Sequence, residues 1–527
     1  MSLDSQANTQ LAIVELDTTS NKRPIKIDDL RARKTDELII AMVGPIGSGC
    51  SKSADKIISL LKDDYGYSQV VYHKVSDVIT KNAALVGIDI PGSLDADERV
   101  SRLQDAGNKL RDKFLDDYLS AKIIENIATH RLEHDGFKKA EGGNLVPEPL
   151  RHAHVIDSLK NPAELSLLRE VYGDMLWVIG VFAPEGIRKN RLKNLEGWAE
   201  SKISALFDRD NKQEWHYGQG VRDTFFQADF FIRNDGENDT KLEQTLERSL
   251  EIIFGFPVHT PKPDESAMYS AYSAAAQSAC LSRQVGASIV SANGELIGVG
   301  WNDVPAFEGG LYSPAHGNND HRCYMWSQHV CHNDKKKQAL YKEIFDALQG
   351  SQLLKDAATK EQTTEALKDT DIRQLIEYSR AVHAEMEAII SVARGNKAGL
   401  TGSTLYCTTF PCHSCARHIL ASGITKVVYI EPYPKSLAIE LHYDAISVDE
   451  KDLGKKLVFL QFEGVSPRNM LRLFKPHEVK RKNKDTGKLV DFDKKKAHPL
   501  GSVSVDDFST HEKRVLTRLK DLESEPA

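Results

Sequence analysis

The apolar positions of this chain fall into short continuous runs separated by amphipathic stretches. Leu38-Ile39-Ile40-Ala41-Met42-Val43 is a run of buried-strand length that passes straight into Gly44-Pro45-Ile46-Gly47-Ser48-Gly49-Cys50-Ser51. A helix is expected over 53–61. Further strands are expected at 69–72, 153–156, 176–182 and 229–232, with helices between them, including a long charged one around 96–127. Strands alternating with helices predict a parallel α/β domain over 36–255. Residues 1–35 are polar and lack periodicity, which reads as a partly ordered leader.

The pattern changes at Phe256-Pro257-Val258-His259-Thr260-Pro261-Lys262-Pro263, where three prolines within seven residues predict a stiff linker over 256–264. A second domain is expected over 265–476. It opens with an Ala/Ser-rich helix (265–280) and continues with strands at 285–290 and 296–300, joined by a hairpin turn at Asn293-Gly294. A long polar insertion (303–370) follows. Then come a helix bearing His383, a strand at 404–408, a helix at 412–422 with Gly423 as its C-cap, and strands at 427–430 and 457–462. These add up to an α/β/α domain on a five-stranded mixed sheet. Residues 477–527 read as a charged C-terminal extension. There is no internal repeat.

The length of 527 residues exceeds one hydrophobic core, so two or three domains are expected. Hydrophobic residues at 40% and charged residues at 28% fit a soluble globular protein. No apolar run approaches the roughly 20 residues that span a bilayer, and the N-terminus has no signal-peptide core, so a cytoplasmic location and no membrane partner are expected. Seven cysteines in so long a chain point to metal chemistry in a reducing compartment, not to a disulfide framework. The net charge of −7 counts against a long polynucleotide as the main ligand, though not against a mononucleotide in a local basic pocket.

The chemistry concentrates in Val382-His383-Ala384-Glu385 and Pro411-Cys412-His413-Ser414-Cys415. One imidazole and two thiols can hold Zn²⁺ with an open fourth position, and zinc lowers the pKa of water to about 7. A carboxylate off the metal, Glu385, can shuttle the proton that hydrolysis of an amidine-like carbon requires. Cys412 and Cys415 fall at a helix start, where the dipole favours thiolates. Residues i and i+2 do not share a face of a helix. His383 and Glu385 can therefore meet one site only if His383 lies at or before the helix start. A purely structural zinc would need a fourth ligand, for which His413, Cys407 and His418 are the candidates, and would leave Glu385 unexplained. His-x-Glu with Pro-Cys-x-x-Cys is the signature of zinc deaminases of nucleobases.

On these motifs the chain resembles the cytidine/deoxycytidylate deaminase superfamily from about Met268 to Pro476. Ser282-Arg283-Gln284-Val285-Gly286-Ala287-Ser288-Ile289-Val290 is similar to that family's first hairpin strand, and Gly298-Val299-Gly300-Trp301-Asn302-Asp303-Val304-Pro305 to its Asn-bearing turn. The resemblance implies zinc on His383, Cys412 and Cys415, Glu385 as proton donor and acceptor, and Asn302 on the sugar of the substrate. Arg283, and Lys435 within Glu431-Pro432-Tyr433-Pro434-Lys435-Ser436, are expected on the substrate side. Glu387 stands where deoxycytidylate deaminases often carry an amide.

Gly44 to Gly49 has the spacing of a loop that cradles phosphate at a helix N-terminus, with Gly44, Gly47, Ser48, Gly49, Cys50 and Ser51 as the nucleotide-binding set. Cys50 stands where a lysine should reach the phosphates, and Lys52 is two positions displaced. Ser51 retains the Mg²⁺-side hydroxyl. Asp157 is a candidate metal-side carboxylate, and Arg188, Arg191 and Arg209 a candidate lid. The domain resembles a P-loop nucleoside or nucleotide kinase fold. The missing lysine favours nucleotide binding without phosphoryl transfer over kinase turnover or a structural role.

His316, His321, Cys323, His329, Cys331 and His332 crowd the insertion, so a second metal on His321, Cys323, Cys331 and His332 is one reading and a polar surface loop the other; some deoxycytidylate deaminases carry an accessory zinc there. Between Lys475 and Lys496 nine Lys/Arg face four Asp/Glu, which reads as a solvated surface or, if RNA or a phage-derived regulator binds, its place. The domain order resembles bacterial anti-phage dCTP deaminases. That resemblance implies conversion of dCTP and dCMP to the uracil forms, restrained by the first domain, with a nucleotide effector and a homo-oligomer as further expectations. A polynucleotide deaminase and a nucleotide sensor with a structural zinc are the alternatives.

Overall fold

The computed structural model describes residues 27–139, 145–194, 197–212, 220–236, 239–256, 258–355, 358–368, 370, 372, 375–376, 378–395, 399–433, 435–475 and 481–524, with the side chains of 208–212 and 327 left aside. The chain divides into two compact units, one of residues 1–260 with 463–527 and one of 261–462. Most of the polar leader, Pro257 and part of the basic run (476–480) lie outside the described residues.

In the first unit, strands β1 (Leu38–Val43) and β2 (Gln69–Lys74) flank β3 (His152–Leu159), and β4 (Leu176–Phe182) and β5 (Phe230–Arg233) extend the sheet beyond β1. These five strands are parallel, in the order β5-β4-β1-β3-β2. β1 and β4 are buried at every position, as central parallel strands covered on both faces must be. Helix α1 (Cys50–Asp63) follows β1 and packs its Ala54, Ile57 and Leu61 side on the sheet. The long charged helix expected around 96–127 is two helices, α2 (Ala96–Lys113) and α3 (Tyr118–Glu133), broken at 114–117. The break carries neither Gly nor Pro. It is held by tertiary contacts, with Phe114 stacked on Tyr118 and Asp117 ion-paired with Arg518. Helix α4 (Pro162–Tyr172) follows β3 and opens with a capping box, Asn161 with Glu164.

The structure corrects the expected 477–527 extension and the boundary at 476. The strand Gly464–Val465 pairs antiparallel with β5, closing that edge of the first unit's sheet. The helix Val505–Ser524 packs on α3 and α4. Its Glu512 shares a buried ionic group with Arg131 and Glu37, in which Arg131 Nη2 lies 2.7 Å from Glu37 Oε2 and the Tyr172 hydroxyl donates to Glu512 at 2.8 Å. The leader's described end is tied to the same tail, where Thr35 N donates to Val503 O and Arg33 pairs with Asp506. Within the basic run, Lys494 is neutralised in this unit by Glu247 and Glu251, and Lys496 pairs with Asp493.

The second unit opens with α5 (Pro263–Ala275), whose Pro263 sits in the first turn, so the linker ends earlier than 264. Strands β6 (Gly286–Val290) and β7 (Leu296–Trp301) form the expected hairpin. Helix α6 (Ala384–Arg394), β8 (Thr404–Thr409), α7 (His413–Ala421) and β9 (Lys426–Glu431) follow, then β10 (Ile446–Ser447) and β11 (Leu457–Gln461). The order is β10-β11-β9-β8-β6-β7, parallel from β10 to β8 and antiparallel from β8 to β7. The mixed sheet therefore has six strands, not five. The sixth, two-residue β10 is too short to leave an alternating pattern. Gly300 decides how closely α6 lies on β7, since a Cβ there would meet Ala388 N at 2.3 Å and Ala384 O at 2.4 Å.

Candidate active site

His383 is the N-cap of α6, with φ −75° and ψ 153°, and Glu385 is the second helical residue. The extended backbone at His383 turns its side chain off the helical register, so imidazole and carboxylate reach the same place despite their i, i+2 spacing. Cys412 is likewise the N-cap of α7 and Cys415 lies in its first turn. Both helices start at the carboxyl ends of their preceding segments and deliver the three donors to one point.

His383 Nδ1 lies 3.5 Å from Cys412 Sγ and 3.3 Å from Cys415 Sγ. A tetrahedral ion with zinc's usual bond lengths sets an N···S separation of about 3.6 Å. The donor set and spacing fit zinc. Among the described residues this trio is the one group of three or more His, Cys, Asp or Glu gathered tightly enough for a metal. None of the expected fourth ligands joins it. Cys407 is buried in β8, and His418 is exposed with its ring at 2.7 Å from Ser414 O. A three-ligand cluster leaves one tetrahedral position for water or substrate.

The electrostatics bind the cluster together. Cys412 is pulled down to about 4, chiefly by its hydrogen bond with Cys415 and also by His383, while the same sulfur–sulfur contact pushes Cys415 up. His383 is raised to about 9, first by its hydrogen bond to Cys412. Glu385, 4% exposed, is raised by burial.

These groups open into a cavity of about 250 Å³ lined by His383, Glu385 and Cys412. Asn302 and Arg283 line it too. Asn302 Oδ1 accepts from Val285 N at 2.7 Å and its Nδ2 donates to Arg283 O at 2.8 Å, so its amide holds the 283–285 backbone against the cavity wall. The Arg283 guanidinium pairs with Glu431. Lys435 is exposed and lies outside the lining. Glu387 faces away from the cavity chemistry and pairs with Arg394 at 2.8 Å. Sequence reasoning missed Phe410, Tyr433 and Arg380 as lining residues. The signal for the first was its place just before Pro411-Cys412; Arg380, between the insertion and the His383 motif, gave none.

The four residues of the expected second metal are not gathered into such a group. Cys323, Cys331 and His332 line the cavity of the first cluster instead, and His332 Nδ1 lies 3.2 Å from Tyr378 O. His321 sits against Tyr312 and Trp326.

In the first unit the glycine loop adopts the expected strand–loop–helix context, with Gly47 at φ 77° and Gly49 at φ 88° as the N-cap of α1. Cys50 is buried and raised to about 11 by that burial. Ser51 Oγ donates to Asp157 Oδ2 at 2.6 Å. Lys52 pairs with Asp239. Arg188 and Arg191 donate to loop carbonyls at Ile46, Gly47 and Ser48. The Arg209 side chain lies outside the described residues.

Residues 261–431 match the family model of the cytidine and deoxycytidylate deaminase zinc-binding region. The deoxycytidylate deaminase of enterobacteria phage T2 is 28% identical over 166 residues, 32% of this chain and 78% of that protein. A UPF0200 protein of Saccharolobus islandicus is 26% identical over 217 residues, 40% of this chain and 94% of its own. The crystal structure of the dCMP deaminase from cyanophage S-TIM5 in complex with dCMP and dUMP aligns at 21% identity and a TM-score of 0.22, over 39% of this chain and 99% of that one. The second unit is thus similar to the zinc-binding region of cytidine and deoxycytidylate deaminases, and the chain is also similar to UPF0200 proteins.

Proposed function

We propose that this protein hydrolytically deaminates free deoxycytidine nucleotides, dCTP, dCMP or both, to the uracil forms and ammonia. The observation that carries the reading is the three-donor cluster His383, Cys412 and Cys415 beside a buried carboxyl, at the floor of a cavity sized for a base. Zinc bound there would polarise a water for attack on C4 of cytosine. Glu385 takes the proton of the attacking water, returns it to ring N3 and carries the next to the departing amino nitrogen. Phe410 and Tyr433 wall the base in, and Asn302, through the 283–285 backbone it holds, supports the sugar side. Water adds and ammonia leaves, so no co-reactant is needed.

The biological reading is depletion of the dCTP pool as anti-phage defence, with the first unit restraining the second. Its support is the resemblance in domain order and motifs. Three gathered donors with no fourth among the described residues speak against a structural zinc, and the net charge of −7 against a polynucleotide substrate. The test offers dCTP, dCMP, CTP and a cytosine-containing oligonucleotide in parallel to purified protein of known zinc content. Uracil formation from dCTP or dCMP is expected. Product from the oligonucleotide alone would overturn the reading. For the defence role, cells expressing the protein should lose dCTP on infection, and an unchanged pool would refute it.

A further inference from the structure

The glycine loop lacks its lysine, yet a lysine is present at the loop. β1 and β3 are parallel neighbours, so the segments after Val43 and after Leu159 leave the sheet at the same carboxyl edge. Lys160 is the first residue beyond β3, and its Nζ donates to Gly44 O at 2.7 Å. An ammonium has three donors, and this contact holds its charge at the loop. Cys50, which stands where the loop lysine is expected, is pushed up to about 11 by burial, so it remains a neutral thiol and offers no counter-charge. Lys52 also lines the cavity at the loop, but its ammonium is paired with Asp239.

Around Lys160 lies a cavity of about 880 Å³ formed by the loop, Ser51, Asp157, Arg191 and Trp198. That volume suits a nucleotide. Asp157 is 8% exposed and takes hydrogen bonds from Ser51 and Tyr72, each at 2.6 Å, so one carboxylate is fixed in the wall of the same cavity. A second observation points to a ligand. Trp198 is 7% exposed and lines this cavity, and its indole N–H has no acceptor among the described residues. A buried N–H donor without an acceptor is costly unless something else supplies one.

We propose that Lys160, arriving from the neighbouring strand, replaces the missing loop lysine and binds the polyphosphate chain of a nucleoside triphosphate in this cavity. The nucleoside end occupies the Trp198 side, where its oxygens meet the indole N–H. The reading is independent of the deaminase chemistry.

The test is calorimetric binding of Mg²⁺–ATP and of Mg²⁺–tripolyphosphate to the full chain, neither probe carrying cytosine. Lys160→Gln keeps a donor for Gly44 O but drops the charge, and should weaken Mg²⁺–ATP binding by at least about tenfold, the size of a charge-assisted phosphate contact. Lys160→Arg should bind nearly as well as the parent, and so should Lys52→Gln. Mg²⁺–ATP should bind more tightly than tripolyphosphate. The proposal is overturned if neither probe binds, if Lys160→Gln binds like the parent, if the loss follows Lys52, or if both probes bind equally. Melting temperatures of the variants separate lost affinity from lost folding.

Discussion

His383 shows how much a single backbone angle decides. With its ψ at 153° it stands outside α6 as the N-cap, and this places its ring 3.3–3.5 Å from two sulfurs while Glu385 keeps helical geometry beside it. Glu385→Gln should retain zinc by metal analysis and lose at least about a hundredfold in turnover, because the amide preserves shape and removes the proton carrier. Full activity in that variant would refute the assigned role. Cys412→Ala should lose both metal and activity, since two donors no longer hold the ion tightly. The identities of these four residues were legible in the sequence from chelating spacing alone. Their convergence was conditional on the cap geometry, which residue spacing does not encode. Lys435 shows the reverse, a residue transferred by motif resemblance that the fold leaves exposed and off the cavity.

Among the elements, the apolar runs announced the longer strands of both sheets, because a central strand buried on both faces has no freedom to be polar, but not the two-residue strands Ile446–Ser447 and Gly464–Val465. The break between α2 and α3 was not legible, since the Asp117–Arg518 pair joins residues distant in sequence and the local stacking of Phe114 on Tyr118 comes with no Gly or Pro to mark it. The helix Val505–Ser524 carries a related cost. Its Glu512 neutralises a buried Arg131 together with Glu37, all three at most 2% exposed. Glu512→Ala should destabilise the first unit by about 3–5 kcal/mol in denaturant unfolding, because it strands part of a buried charge. A loss below about 1 kcal/mol would show that Glu37 alone suffices. Strands β2 and β3 carry a second such group. His73 Nε2 and His154 Nδ1 lie 3.0 Å apart, with His130 and His152 against them. Burial lowers His73 to about 4 and His154 well below its ordinary value. Folded-state pKa values below the unfolded value of about 6.5 mean that the unfolded chain binds more protons. Stability is therefore complete above about pH 6.5 and declines as pH falls toward 4, by up to about 1.4 kcal/mol per pH unit for each of these two rings. Melting curves between pH 7.5 and 4.5 should show the loss, and His73→Phe should flatten it.

At the scale of the whole molecule, the chain leaves the first unit at Thr260 and returns to it at Glu463. Truncation after residue 475, at the boundary that charge patterning suggests, should yield aggregated or unfolded first unit by sedimentation. It removes the helix covering α3 and α4 together with Glu512. A soluble truncated chain with unchanged melting would contradict this. By itself the sequence determined the α/β class, the proline boundary near 260 and the three donors, His383, Cys412 and Cys415, that the fold gathers. Each of these is written in local pattern: period, turn residues and chelate spacing. Only the tertiary structure decided that the charged tail completes the first unit, that His321, Cys323, Cys331 and His332 are not gathered as His383, Cys412 and Cys415 are, and that Lys160 reaches Gly44 of the glycine loop. Those outcomes depend on which distant segments share a sheet edge or a buried charge, and such pairing is settled by packing, not by local order in the chain.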